Sequence, residues 1–282
     1  MAVKRWIGTD GDLDVAGNWN PSGVPGASDD VIFPAGGGAV TANLDTFAAV
    51  ALADVFVEAG AGAMGGILEY ASLNCDRLFY SGSAVSYLDF ASSAPAEVMI
   101  KQTASGGTGT FGLYLASSSA VSEVAIADGS VSLGTSHAYD FTATSLGCGG
   151  SSNVVLGHDS TATTLHQHGG TFTNYGHISG EQYVFGGSHY IESEQTQGGS
   201  YKVAGTATVF HNGPGRAGGT VYMYSNNATW DGTANPGVSR TLNWLQLQRG
   251  TVIFGEDYTV SNCSVSSLGI GPQKLVGSIQ GE

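Results

Sequence analysis

The chain has 282 residues, of which 44 are glycine and only 11% are charged, and its net charge is −14. An excess of acids without a Lys/Arg cluster excludes a protein that grips nucleic-acid phosphates. Hydrophobic residues make up 41% of the chain, which is enough to bury a core and excludes disorder. Because helices usually carry their solvated face on Glu, Lys and Arg, the shortage of charge favours an all-β protein.

Residues 1–34 form a segment with its own signature, in which Trp6 and Trp19 stand among Gly, Asn and Pro turns. We interpret this segment as an N-terminal cap. The two tryptophans would cover the open end of the first rung of a sheet, and prolines 21 and 25 would block the addition of further strands. The alternative is a carbohydrate-binding platform of exposed tryptophans.

Asp10, Asp12 and Asp14 alternate as in the first half of a calcium-binding loop. The match to an EF-hand fails at Val15, where glycine is needed, and at Pro21, where a bidentate glutamate is needed. We therefore interpret the three aspartates as solvated turn residues.

From residue 67 onward short strands are predicted about 10 residues apart, among them Ile67–Tyr70, Arg77–Tyr80 and Ser86–Phe90. This spacing is typical of β-helix edges and of antiparallel sandwiches.

The region 165–224 repeats one pattern, a Gly-Gly pair followed by a small hydroxyl residue and alternating β-formers. The four copies are Gly169-Gly170-Thr171-Phe172, Gly186-Gly187-Ser188-His189, Gly198-Gly199-Ser200-Tyr201 and Gly218-Gly219-Thr220-Val221. Such a unit is too short to bury its own apolar face, so it needs a stacked neighbour on each side. The pattern predicts a parallel β-helix over 35–282, with an antiparallel β-sandwich or jelly roll as the alternative. We also predict that Phe172, Tyr190, Val203 and Val221 stack in one same-face column.

The Gly-Gly units resemble the rungs of right-handed parallel β-helix proteins of the pectin-lyase-like kind, found in phage virions and on bacterial surfaces. The opening resembles the segment that precedes such repeats. The resemblance is best over about the last 120 residues. It implies a single-stranded right-handed β-helix, and phage proteins of this kind commonly assemble as parallel trimers.

Cys75, Cys148 and Cys263 lie far apart, with no C-x-x-C spacing. An odd count without a framework predicts three buried free thiols.

Two groups of residues are candidates for chemical sites. His166 and His168 alternate on one strand, with His158, His177 and His189 nearby. They could bind a divalent metal, but an exposed or intersubunit face is the favoured interpretation. Enzymes on this fold use grouped carboxylates, and the candidates here are Glu181, Glu192, Glu194, Asp159 and Asp231. The chain has no hydrolase elbow, phosphate loop or metalloprotease motif, so we assign no catalytic residue, metal or cofactor.

The beginning of the sequence has no apolar segment of the kind that a signal peptide requires, and we expect a protein made in the host cytoplasm. The expected function is that of a non-enzymatic structural protein of a phage virion, such as a head decoration protein, a fibre or a spike stem. The alternative is a carbohydrate-binding or polysaccharide-degrading β-helix protein. The expected partners are further copies in a homotrimer and other virion proteins such as capsid or tail, with a host-surface glycan as an open alternative and no nucleic acid or membrane. The predicted interface residues are Tyr222, Tyr224, Trp230 and Trp244.

Overall fold

The computed structural model describes residues 1–90, 94–102, 112–134, 139–255, 257–265 and 273–276. The described chain is nearly all strand, and the strands pair in parallel as a β-solenoid. The chain divides into two compact units, residues 1–144 and 145–282. The parallel β-helix prediction is therefore confirmed, and the antiparallel alternative is wrong.

The first unit coils through two sheets, called sheet I and sheet II. Sheet I pairs β1 with β3, β3 with β4, β4 with β5, β5 with β7, and β7 with the second half of β8. Sheet II holds the start of β5, then β6, the first half of β8, and β9. The elements are β1 (Val3–Trp6), a 3₁₀ helix (Ala16–Asn18), β2 (Trp19–Asn20), β3 (Asp30–Phe33), β4 (Phe47–Val57), β5 (Ala71–Tyr80), β6 (Ser86–Asp89), β7 (Glu97–Lys101), β8 (Leu113–Asp128) and β9 (Ser130–Leu133).

The second unit repeats this arrangement. Sheet I contains β12, β14, β15, β17, β19, β21 and β23, and sheet II contains β11, β13, β16, β18, β20, β22 and β24. The strand β10 (Phe141–Cys148) contains the boundary between the units. The remaining strands are β11 (Asn153–Leu156), β12 (Thr161–Gln167), β13 (Thr171–Asn174), β14 (His177–Ile178), β15 (Gln182–Val184), β16 (Ser188–Ile191), β17 (Tyr201–Val203), β18 (Thr208–His211), β19 (Ala217–Met223), β20 (Thr229–Gly232), β21 (Arg240–Leu247), β22 (Gly250–Phe254), β23 (Tyr258–Val265) and β24 (Gln273–Val276).

Alternation along each strand separates the core from the surface. In β17, for example, Tyr201 and Val203 are buried while Lys202 between them points outward. Because the strands are in parallel register, each inward side chain lies over an inward side chain of the next rung, and each outward side chain lies over an outward one. The register therefore builds continuous columns on both sides of every sheet.

The Gly-Gly pairs form corners where successive rungs touch through their backbones. A Cβ added to Gly219 would collide with the carbonyl oxygen of Gly199, and a Cβ on Gly199 would collide with that of Gly180. Gly199 also has a φ of +59°, which disfavours other residues. These corners require glycine because no side chain fits between the rungs.

The predicted single column of Phe172, Tyr190, Val203 and Val221 is wrong. Phe172 lies on sheet II and pairs with His189, whereas Val203 and Val221 lie on sheet I. Tyr190 has the opposite parity and faces outward, where its ring stacks on Phe210 at 4.7 Å. The reason is the 12-residue interval between Gly186 and Gly198, which spans a corner from one sheet to the other within a single rung.

Trp6 and Trp19 lie inside the N-terminal end of the first unit. Both are 1% exposed, their ring centroids are 5.1 Å apart, and both pack against Phe33. The strands that carry them pair antiparallel, and β1 continues in parallel with β3. Burial removes both rings from the exposed platform that a glycan would need, and their role as an end cap stays a prediction.

The three cysteines are free, but only two of them are buried as predicted. Cys75 and Cys148 are inside, and burial raises the pKa of each thiol to about 12. Cys263 is exposed. It lies on β23, which among the described strands pairs only with β21, so no further described rung covers it.

No helix in the described part of the chain has the length and apolar character that crossing a membrane requires.

Candidate functional site: an aromatic face on the second unit

The outward side of sheet I in the second unit carries aromatic and histidine side chains on successive rungs. We call this surface the aromatic face. Its residues are His166, His168, Tyr183, Phe185, Lys202, Tyr222, Tyr224 and Trp244.

The register places these side chains in adjacent columns. One column runs through His166, Tyr183, Lys202, Tyr222 and Gln246. The rungs are 16 to 25 residues long, as the paired positions on sheet I show. Residues far apart in sequence therefore become neighbours about 4.8 Å apart on the face.

The rings of neighbouring rungs stack on one another. His166 stacks on Tyr183 with centroids 4.7 Å apart and an interplanar angle of 8°, and His168 lies 5.3 Å from Phe185. Along β19, Tyr222 and Tyr224 lie parallel at 5.8 Å. Such contacts hold the rings in fixed orientations, so the face is preorganised.

Three large hydrophobic rings of the face are open to solvent, as is His168. The exposed fractions are 38% for Phe185, 39% for Tyr224 and 44% for Trp244. Phe185, Ala204 and Tyr224 follow one another on successive rungs. The backbone amide of Ala204 donates to the Val184 carbonyl, and that of Tyr224 donates to the Val203 carbonyl. The small Ala204 side chain therefore lies between the two larger rings in this column.

One ion pair neutralises the centre of the face. The Lys202 Nζ lies 2.6 Å from Glu181 Oε2, donates to the Tyr183 hydroxyl at 3.1 Å, and stands 4.5 Å from the Tyr183 ring centroid. The hydrogen bond with the Glu181 carboxylate raises the pKa of Lys202 above its usual range. The face therefore presents aromatic surface with a balanced charge.

The predicted interface residues divide into two sets. Tyr222, Tyr224 and Trp244 lie on the aromatic face. Trp230 does not: it is completely buried, and its Nε1 donates to the Tyr258 hydroxyl at 2.9 Å. Its assignment to an exposed interface is wrong because residue 230 has the inward parity of β20, whereas residue 244 has the outward parity of β21.

The histidines are separated in the same way. His166 and His168 face outward, but His189 is buried on sheet II, where its Nδ1 donates to Gln167 Oε1 at 3.1 Å. Burial lowers the pKa of His189 to about 3. Within the described ranges, no three His, Cys, Asp or Glu side chains are arranged to hold a metal ion.

His211 belongs to a second buried polar cluster. The Tyr258 hydroxyl donates to His211 Nδ1 at 2.6 Å, and His211 Nε2 donates to the Gly215 carbonyl at 2.8 Å. Burial, with a smaller contribution from the positive charge of Arg240, lowers the pKa of His211 to about 4.

Three of the five carboxylates named as catalytic candidates make structural contacts. Glu181 pairs with Lys202, Glu192 Oε1 accepts from Asn212 at 2.6 Å, and Asp231 Oδ1 accepts from Thr233. Asp10, Asp12 and Asp14 of the first unit likewise accept hydrogen bonds within their own loop and from the side chains of Asn18, Asn43 and Thr46.

The sequence missed Tyr183, Phe185 and Lys202 as members of the face. They lie on different rungs from Tyr222 and Trp244. Their proximity could have been predicted only if the lengths of the intervening rungs had been known. No family model matches the chain, and no curated protein or solved structure is significantly similar to it.

Proposed function

We propose that the protein is a non-enzymatic structural subunit of a phage virion that self-associates through the aromatic face, with a homotrimer as the assembly. The observation that supports the proposal is the group of exposed rings of Phe185, Tyr224 and Trp244 on the outward side of sheet I in the second unit. Exposed aromatic clusters on a protein that is otherwise polar mark contact surfaces, and closed symmetry buries them without forming fibres.

The charge distribution supports the choice of this surface. The chain carries a net charge of −14, so two copies repel each other over most of their surfaces. On the aromatic face the charge of Lys202 is paired with that of the neighbouring Glu181. Copies can therefore approach through this face with little repulsion.

The virion assignment rests on the resemblance of the Gly-Gly rungs and of the opening segment. A stacked solenoid in which the carboxylates of Glu181, Glu192 and Asp231 are engaged in hydrogen bonds and an ion pair suits a scaffold. An enzyme on this fold would instead need carboxylates directed at a substrate.

Light scattering on wild-type protein tests the proposal. We expect a mass of three times the 28.7 kDa of one chain. The double variant Tyr224→Ser/Trp244→Ser should shift the mass toward one chain, because it removes two of the exposed rings. The control Ile67→Ser/Leu68→Ser removes two side chains that are 72% and 91% exposed on the first unit and should leave the mass unchanged. A wild type that stays monomeric at high concentration would refute the proposal.

Glycan binding is a second candidate, favoured by the parallel rings of Tyr222 and Tyr224, since flat aromatic surfaces suit sugar rings. Titration of host-surface polysaccharide while the intrinsic tryptophan fluorescence is monitored distinguishes the two. A signal that saturates in the double variant Tyr222→Ser/Tyr224→Ser as it does in the wild type would exclude the glycan site.

A further inference from the structure

The first unit carries a different exposed surface, on the outward side of its own sheet I. An apolar column there runs through Ile32, Phe56, Phe79 and Met99, in register from β3 to β7. Two residues earlier on each strand, a second column runs through Asp30, Asp54, Arg77, Glu97 and Glu123. We call the two columns together the acid-flanked face.

The apolar column is ordered and partly open. Phe56 and Phe79 stack with centroids 4.9 Å apart and an interplanar angle of 8°. Met99, on the next rung, is 41% exposed. Side chains of this kind on a regular sheet form a flat surface on which apolar side chains of another protein can pack.

The neighbouring column is acidic along most of its length. Asp54 is paired with Arg77, whose Nε and Nη2 donate to the two carboxylate oxygens at 2.8 and 2.6 Å. Glu97 and Glu123 follow on the next two rungs, and among the described residues neither has an ion-pair partner within 4.0 Å. They leave a local negative charge beside Met99.

Arg77 shows which chemistry this face accommodates. Its guanidinium is held by the Asp54 carboxylate and also lies 5.6 Å from the Phe79 ring centroid. A cation is thus bound by a carboxylate from one column and an aromatic ring from the other. The next two rungs carry Glu97 beside Met99 and Glu123 beside Ala125, so they repeat the carboxylate next to an apolar side chain, although not the aromatic ring.

We propose that the acid-flanked face binds a basic, extended segment of a partner protein that runs parallel to the strands, with a cationic side chain on the neighbouring carboxylates of Glu97 and Glu123 and an apolar side chain on Phe79 and Met99. The two columns are two residues apart along each strand, a separation of about 6.6 to 6.8 Å. A partner strand that alternates a cationic and an apolar residue on one face has the same spacing. The inference rests on the proposed structural role, in which the subunit docks onto a larger assembly, and it gives that partner a chemistry.

Charge complementarity favours this occupant over a second copy. The first unit contains 15 acidic and 4 basic residues, a net charge of −11. Two such faces repel each other, whereas a basic segment gains from every carboxylate in the column.

The experiment uses the full chain and a fluorescent peptide that repeats Lys-Ser-Val-Ser, which places Lys and Val on one face when extended. Fluorescence anisotropy measures its Kd at low salt. We expect Glu97→Gln/Glu123→Gln to weaken binding about fivefold, since exposed ion pairs contribute modestly, and Met99→Ser to weaken it by a similar factor.

The matched controls remove the same groups elsewhere on the first unit. Asp45→Asn/Glu69→Gln removes two exposed carboxylates, and Leu68→Ser removes an exposed apolar side chain. Each should change Kd less than about twofold. Equal weakening by variants and controls would mean general charge attraction and would overturn the proposal, as would a wild type that does not bind the peptide.

Light scattering on the same samples separates this inference from the proposed self-association. The aromatic-face variant Tyr224→Ser/Trp244→Ser should lower the mass and leave the peptide Kd unchanged. A peptide that binds the aromatic face, so that this variant abolishes binding while Glu97→Gln/Glu123→Gln does not, contradicts the assignment of the acid-flanked face.

Discussion

The two units share one backbone plan and differ in where they place polar and charged groups. The first unit has a net charge of −11, whereas the second has 8 acidic and 5 basic residues, a net charge of −3. The interior shows the opposite trend. The second unit buries two histidines, an arginine and several amides, among them His189, His211, Arg240 and Gln197, while Gln102 and Asn18 are the larger buried polar residues described in the first.

This difference between the two units shows that parallel register determines only which residues face inward and which face outward. It does not determine what the core contains, because a buried amide or imidazole is tolerated where a neighbouring rung supplies its hydrogen bond. Gln197 illustrates this, since its Oε1 accepts from Asn174 at 2.9 Å and its Nε2 donates to Gly176 at 3.0 Å. Two units with the same coil can therefore present surfaces suited to different partners.

The largest effect on the free energy of unfolding is expected for Trp230→Ala. Trp230 fills the core of the second unit and also anchors the Tyr258 hydroxyl, so its loss should lower the free energy of unfolding by about 4 kcal/mol. Trp244→Ala removes the same side chain from the surface and should cost less than about 1 kcal/mol. Urea unfolding followed by circular dichroism measures both, and equal losses would show that the parity of one of the two strands is misassigned.

A somewhat smaller effect is expected at a corner. Gly219→Ala forces the Cβ against the Gly199 carbonyl and requires the two rungs to separate. We expect a loss of about 3 kcal/mol in the free energy of unfolding. Gly149→Ala is the control within the same unit, since its Cβ would meet only the His168 Cβ at 3.9 Å. If both variants are equally stable, the close stacking of the corners is refuted.

Acidification should destabilise the second unit at a higher pH than the first. Folding lowers the pKa of His189 to about 3 and that of His211 to about 4, from 6.5. Below pH 6.5 the unfolded chain therefore binds more protons than the folded chain. As far as these two histidines are concerned, the free energy of unfolding is highest above pH 6.5 and decreases as the pH falls from 6.5 toward 4. The loss for the second unit is on the order of 2 kcal/mol per histidine at pH 4.5.

The described residues of the first unit include no histidine, and His137 lies outside them. There, backbone hydrogen bonds lower the pKa of Asp10 and of Asp29 below 3.8. That stabilisation persists until the pH falls below about 3.8. Hydrogen exchange at pH 7, 5 and 4 should therefore show the second unit opening first. Simultaneous opening of both units would contradict the comparison.

The sequence predicted the solenoid because the Gly-Gly corners are local and their steric cause is local. It could not predict which side chains share a column. The interval from Gly186 to Gly198 joins one sheet to the other within a rung, and in the sequence it cannot be distinguished from an interval that spans a whole rung. The same limit explains the aromatic residues. Trp230 and Trp244 both lie in segments in which apolar and polar residues alternate. Only the register with the neighbouring strands shows that Trp230 is buried and Trp244 is exposed.

The central claim is that copies of the chain meet through sheet I of the second unit. Its most direct test is a pair of spin-labelled variants in a Cys263→Ser background, where the buried Cys75 and Cys148 have raised thiol pKa values and do not react. Gln246→Cys places the label on the aromatic face, and Thr208→Cys places it on the outward side of sheet II. Electron–electron distance measurements should give a shorter intermolecular distance for the label at 246 than for the label at 208. A shorter distance from 208, or no intermolecular distance from either, would contradict the claim.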